Sequence, residues 1–227
     1  MNAQVDVTLI EGHMGTGKTV TGVALIVDDY IKDPTLRIFS NVHLFGIKHV
    51  YTPDIQATLK LLSNPSFKHA KWLIDESYTE ADCRRGGNLT TILYTWIMQQ
   101  MRKRDIEVIW IVQNSRMVDW RIKWIITKKI ECINYDWDDE LQRGTRNVKC
   151  TIKKIRSGRP VTEKTINYWS PQYWKYYDTN ELPNIPVFYC ACGCGGIVTS
   201  QGKYLSGHFA AKRAADKEAK ELEGAEA

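Results

Sequence analysis

Eight residues near the start of the chain, Gly12-His13-Met14-Gly15-Thr16-Gly17-Lys18-Thr19, fit the pattern G-x-x-x-x-G-K-[ST] without a mismatch. Few folds accommodate such a loop. Its glycines let the backbone wrap so that N–H groups point inward at phosphates. A helix must follow, so that its N-terminus adds the positive end of a dipole. The flanks agree. Val5–Ile10 alternates and is rich in β-formers, which predicts a strand. The stretch from Thr19 to about Ile31 predicts a helix, ended by Asp33-Pro34. Lys18 is expected to reach the β- and γ-phosphates of ATP, and the Thr19 hydroxyl to ligate magnesium.

Two further segments are of the kind such a loop requires. Trp72-Leu73-Ile74-Asp75-Glu76 is an apolar run closed by an acidic pair, a buried strand that delivers two carboxylates to its end. Asp75 is expected to join Thr19 in holding magnesium, and Glu76 to orient and deprotonate the attacking water. Glu107–Gln113 repeats the pattern with an amide, and Gln113 beside the acidic pair can contact both γ-phosphate and water. Its alternative role is a strand-end amide that only caps a loop. The nucleotide set is therefore Gly12, His13, Met14, Gly15, Thr16, Gly17, Lys18, Thr19 and Asp75, with Lys18, Glu76 and Gln113 in catalytic roles. Arg102-Lys103-Arg104 ends a helix running from Leu89. It either places cations where a helix dipole favours them or supplies an arginine finger to a neighbouring subunit's nucleotide.

Between these segments lie strands over Leu36–Asn41, Ala70–Ile74 and Lys128–Asn134 and a short helix over Asp54–Ser63. The loop Ser77–Asn88, with Gly86-Gly87, reads as mobile. Strands alternating with helices predict an α/β domain with a mostly parallel sheet, covered on both faces. After Tyr135 the pattern changes. Val148–Arg156 and Thr162–Trp169 read as a basic β-hairpin turning at Ser157-Gly158-Arg159-Pro160. The aromatic stretch Tyr168–Tyr177 either packs the segment back onto the domain or stacks bases. The expected organisation is an ATPase domain over 1–178, a linker over 179–188, a cysteine-rich knot over 189–209 and a charged tail over 210–227.

Charge distribution says more than the net +5. Residues 143–164 hold Arg143, Arg146, Lys149, Lys153, Lys154, Arg156, Arg159 and Lys164 against the single acid Glu163. Such a run is either a solvated face or a polyanion-facing surface. The apolar stretches are short and interrupted by charge, well under the roughly 20 residues of a membrane span. The chain starts Met1-Asn2-Ala3-Gln4 with no export signal visible, so a soluble, intracellular protein is expected. In that setting the bunched Cys190, Cys192 and Cys194 suggest metal rather than disulfides.

Together these pieces resemble the FtsK–HerA superfamily of DNA-pumping ATPases over roughly Val5–Ile133. Within it the chain looks most like viral packaging ATPases and the zonula occludens toxin-like assembly ATPases of filamentous phages. The resemblance implies a RecA-like P-loop fold working as a homo-oligomeric ring, often a hexamer, with nucleotide between subunits. The family's strand-end Gln falls on Gln113 and its arginine finger on Arg102, with Arg104 the rival. Zonula occludens toxin-like proteins usually carry a membrane-spanning helix after the ATPase domain, and none is expected from these residues. The implied function is an ATP-hydrolysing motor that translocates double-stranded DNA into a capsid, with a capsid or portal protein as partner. The implied location is host cytoplasm or the packaging vertex of a virion. A phage assembly or secretion ATPase is the alternative, and a nucleotide-switched, zinc-dependent nucleic-acid adaptor a third reading. The segment Cys190-Ala191-Cys192-Gly193-Cys194 with His208 resembles small cysteine–histidine knots appended to phage proteins. Three thiolates and an imidazole match a closed tetrahedral zinc site, which would supply most of the folding free energy of so small a knot.

Overall fold

The computed structural model describes residues 5–75, 89–133, 137–138, 143–144, 146–156 and 158–178, and beyond them 188–192, 194, 197–198, 204–205, 207–210 and 213. Two compact units divide the chain, Met1–Glu181 and Leu182–Ala227. The predicted linker and most of the predicted tail lie outside the described residues, as do Glu76 and the loop that follows it.

The first unit is built from β1 (Val7–Glu11), α1 (Lys18–Lys32), β2 (Arg37–Ser40), β3 (Val50–Tyr51), α2 (Ile55–Leu62), β4 (Ala70–Asp75), α3 (Leu89–Met101) and β5 (Ile106–Val112). After β5 come α4 (Trp120–Lys123), β6 (Lys128–Ile133), the short β7 (Trp137–Asp138) and β8 (Arg143–Gly144), then β9 (Asn147–Arg156) and β10 (Arg159–Trp169). Eight strands form one sheet in the order β10-β9-β6-β1-β5-β4-β2-β3. From β6 to β3 every pairing is parallel, while β9 and β10 add on antiparallel. Crossover connections place helices on both faces, so the central strands have no polar side. All of β5 is buried except the half-buried Glu107, which accounts for its continuous apolar run.

Two cores flank the sheet. On one face Leu9, Trp72, Val108 and Trp110 pack with Ile97, Met98 and Met101 of α3. On the other, Ile10, Leu73, Ile109 and Ile111 meet Val20, Val23, Ile26 and Val27 of α1. The aromatic stretch joins this second face: the Tyr168 hydroxyl meets Thr21 Oγ1 at 2.8 Å, and Tyr173 donates to Asp28 at 2.9 Å. The hairpin is tighter than its sequence suggested. Pro160 lies within β10 opposite Ile155, not in the turn. An edge strand tolerates this, because the N–H that proline lacks would have faced solvent. Among the described residues, no helix is long and apolar enough to cross a membrane.

The second unit contains the two-residue strands β11 (Phe188–Tyr189) and β12 (Ile197–Val198), paired antiparallel, and a cluster of Cys190, Cys192, Cys194 and His208.

Candidate nucleotide site and metal centre

β1 leads into the glycine-rich loop, and α1 leaves it. Gly17 caps α1 at φ 85°, a left-handed conformation that β-carbon-bearing residues rarely adopt. A Cβ there would meet Val148 Cγ2 at 2.7 Å. At Gly12 an added Cβ would strike the Cys132 carbonyl oxygen at 2.5 Å, so the loop threads tightly against β6. The His13 carbonyl is the hub of the loop. It accepts from the Thr16 amide (3.3 Å), the Thr16 hydroxyl (2.7 Å) and Lys18 Nζ (2.8 Å). His13 and Met14 are exposed on its outer side, while Thr16 and Lys18 are buried.

Thr19 Oγ1 donates to Asp75 Oδ2 at 2.6 Å. Residues far apart in the chain thus bring two hard oxygen ligands to one point, a donor set that suits magnesium. β5 lies between β1 and β4 in the sheet. Its register pairs Val112 with Glu11 and Ile111 with Asp75, so the half-buried Gln113 stands just past both, between the loop and the carboxylate. The Ser115 amide donates to Glu11 Oε2 at 3.0 Å, tying the loop after Gln113 to the residue before Gly12. Lys129 Nζ holds the other oxygen of Glu11 at 2.7 Å. Burial opposes the charge on Glu11, but the bonds from Lys129 and Ser115 prevail and keep its carboxyl below the usual range. Lys129 is likewise held above its ordinary value, its bonds to Glu11 and Glu131 outweighing burial.

Arg102 and Arg104 lie elsewhere. They precede β5 and so stand at the edge of the sheet opposite the glycine-rich loop. Arg102 is exposed, and Arg104 donates to the Asn64 carbonyl at 3.1 Å. Neither is brought to the nucleotide site of its own chain.

Asn41 is a contributor that sequence reasoning missed. Its Nδ2 donates to the Asp75 carbonyl (2.7 Å) and its Oδ1 accepts from the Asp75 amide (2.8 Å), a two-point clamp on the backbone of the carboxylate. The signal was present, since Asn41 closes an apolar strand just as Gln113 does. Beneath the loop, Thr21 Oγ1 contacts Cys132 Sγ (3.3 Å) and Cys150 Sγ (3.6 Å), and these cysteines face each other across β6 and β9.

In the second unit, the ligand atoms of Cys190, Cys192, Cys194 and His208 all lie within 4.8 Å of one another. Cys190 Sγ is 3.3 Å from Cys192 Sγ, and His208 Nδ1 is 3.2 Å from Cys192 Sγ and 3.9 Å from Cys190 Sγ. Around a tetrahedral ion with Zn–S near 2.3 Å, such edges would be about 3.5–3.8 Å. The group can hold a metal. Burial opposes ionisation of Cys190, but the amides of Cys192 and Leu205 bring its thiol down to about 6.

No protein-family model matches the sequence, and no curated protein does. Solved structures do. The N-terminal domain of zonular occludens toxin from Neisseria meningitidis superposes with a TM-score of 0.58 at 16% identity, covering 78% of this chain and 100% of that one. The genome packaging NTPase B204 of Sulfolobus turreted icosahedral virus 2, in complex with AMP, superposes with a TM-score of 0.50 at 12% identity, covering 73% of this chain and all of its own. The fold is that of a RecA-like P-loop NTPase. In this fold the glycine-rich loop, the Asp75 strand end and the intervening Gln113 strand end share one edge of the sheet.

Proposed function

We propose that the protein is an ATP-hydrolysing motor that moves double-stranded DNA, most plainly a viral genome into a capsid, and that it works as a ring of identical subunits. One observation carries the enzymatic part: the 2.6 Å contact between Thr19 and Asp75 beside a loop that gathers Lys18. Backbone N–H groups of Gly12–Thr19 bind the phosphates, Lys18 sits on the β- and γ-phosphates, and Thr19 and Asp75 hold magnesium. That ion, when bound, neutralises charge developing on the phosphate oxygens. Glu76 takes the proton of the attacking water, and Gln113 positions the water against the γ-phosphate. Arg102 acts in trans, since its own site lies at the other end of the sheet.

The likeness to B204, a DNA-packaging ATPase, supports the cargo. The ring is supported by exposed apolar side chains on two helices in contact, α3 and α4. Ile92 and Trp96 on α3 and Trp120 with Trp124 at α4 are all exposed, and large apolar patches mark interfaces. The C-terminal cluster binds zinc through Cys190, Cys192, Cys194 and His208 Nδ1.

The test is ATP hydrolysis by the purified chain with and without duplex DNA, with Lys18→Ala as the blank. Duplex DNA should raise turnover several-fold, added salt should weaken the effect, and Lys18→Ala should lose turnover by at least about a hundredfold. Turnover indifferent to DNA would replace the cargo with a protein, as in an assembly or secretion ATPase. No turnover above the blank would end the enzymatic reading.

A further inference from the structure

The basic segment does not present all its charges in the same way. Lys153 is held by Glu131 at 2.5 Å, within a chain that continues through Lys129 to Glu11 on the sheet. Lys154 pairs with Glu163 at 3.2 Å. Past them, Arg156 and Arg159 face each other at the end of the hairpin, both exposed. Neither makes an ion pair among the described residues. The space around Gly158 at the tip is open.

Topology fixes where this tip points. β9 runs antiparallel to β6, with Thr151 opposite Glu131 and Lys154 opposite Lys128. β6 runs parallel to β1, with Glu131 opposite Glu11. The tip therefore lies beyond the start of β1, while the glycine-rich loop follows its end. From Thr151 to Arg156 is about 17 Å at a strand's rise of about 3.4 Å per residue. Lys128 begins β6 on the same edge, and Lys103 precedes β5 there, three strand spacings from β9, or about 14 Å across.

The acids of this edge are already engaged. Asp6 accepts from the Thr127 hydroxyl at 3.0 Å, Asp105 pairs with His69 at 2.6 Å, and Glu107 pairs with Lys71. Of these acids Glu107 alone is held by a lysine, and the cations Arg156, Arg159, Lys128 and Lys103 still outnumber the carboxylates of Asp6 and Asp105 along this rim.

We propose that this rim, at the edge of the sheet opposite the nucleotide, is the surface that grips the phosphate backbone of duplex DNA. The inference rests on the DNA reading above and adds its location. Arginine and lysine on a hairpin tip and strand ends contact regularly spaced phosphates without reading bases. Within one subunit the rim and the ATP site are separated by the length of the central strands, so strand and loop movements link that subunit's hydrolysis to its grip.

The full-length protein and a fluorescein-labelled random-sequence duplex test it by anisotropy across a salt series. Arg156→Glu/Arg159→Glu reverses two charges on the rim. Lys48→Glu/Lys149→Glu makes the same change in net charge with two exposed lysines outside the rim. The rim variant should bind at least roughly tenfold more weakly. Its slope of log affinity against log salt should fall by about 1.8, two phosphates at 0.9 each. The control variant should match the parent, and circular dichroism should find both folded. DNA stimulation, expressed relative to each variant's own DNA-free rate, should fall only in the rim variant. Equal weakening by both variants would overturn the location and leave a diffuse charge effect. Equal binding of the parent to poly-glutamate of matched charge would overturn DNA as the rim's ligand. A parent that binds no duplex overturns the DNA reading and the rim with it.

Discussion

In the unit Met1–Glu181, Leu9, Ile10, Leu73 and Trp110 are almost wholly buried between the sheet and its helices. In Leu182–Ala227, the buried side chain among the described residues is Cys190, itself one of four clustered ligands. Its aromatic pair, Tyr204 with Phe209 at 5.2 Å, leaves Phe209 more than half exposed. One unit has an apolar core on each face of its sheet, while the other has a polar centre and strands of two residues. A fold of the first kind stands on solvent exclusion and tolerates a polar site at its rim. A fold of the second kind depends on whatever ties its ligands together.

Removing the proposed zinc should break this comparison open with the largest effect. Structural zinc contributes on the order of 10–16 kcal/mol to small metal-bound folds, more than any core so small could replace. Chelation should therefore unfold the C-terminal unit and leave the larger one intact. Hydrogen exchange by unit reads both at once. The Leu205 amide, bonded to Cys190 Sγ at 3.3 Å, should lose protection, while amides of β1 and β5 keep theirs. Unchanged protection at Leu205 after exhaustive chelation would mean that the smaller unit stands without an ion.

A subtler effect is expected inside the larger unit, at Asn41. Its amide is the clamp that ties the end of β2 to Asp75, so Asn41→Ala should lose two hydrogen bonds at a half-buried strand end. The expected cost is about 1–3 kcal/mol of stability. The effect on turnover should be larger than that figure suggests, because a misplacement of about 1 Å in a carboxylate proposed to hold magnesium can cost roughly a hundredfold. Nucleotide affinity should hardly move, since the loop Gly12–Thr19 is built without Asn41. Steady-state kinetics alongside equilibrium binding of an ATP analogue separates the two. A fall in affinity with unchanged kcat would make Asn41 part of the binding cradle instead.

Asn41 also shows where sequence was legible and where it was not. Gly12–Thr19, Asp75 and Gln113 could be read in one dimension, because each combines a residue type with a local pattern: a turn, or a polar closure of an apolar strand. The parallel order of the sheet followed from strand–helix alternation. Asn41 carries the same closing pattern as Gln113, but its role depends on β2 lying beside β4, a pairing that no local pattern states. The division of labour in the basic segment was hidden for a similar reason. Lys153 and Arg156 look alike in sequence, and only the register against β6 puts one beside Glu131 and leaves the other past the last pairing with β6. Pro160 misled because proline signals a turn, whereas at an edge strand its missing donor costs nothing.

The smallest expected effect concerns the charge chain that anchors the loop after Gln113. Glu11 is mostly buried, bonded to Lys129 at 2.7 Å and to the Ser115 amide. Because its folded carboxyl lies below the ordinary range, its contribution is fully present above the unfolded value and is lost as pH falls through the folded one. Lys129 is raised, so its contribution is full below the ordinary lysine value and is lost as pH climbs through the folded one. Between these limits, across neutral pH, the pair's contribution should be flat. Lys129→Met leaves Glu11 short of its cation and should cost about 1–2 kcal/mol at neutral pH, discounted for partial exposure. That deficit should shrink as pH falls from the ordinary glutamate range through the lowered folded value of Glu11, past which the carboxyl is protonated in the folded and unfolded chain alike. Urea unfolding of parent and variant across pH gives the difference directly. A deficit independent of pH down to the acid limb would assign the loss to the packed lysine stem and not to its charge.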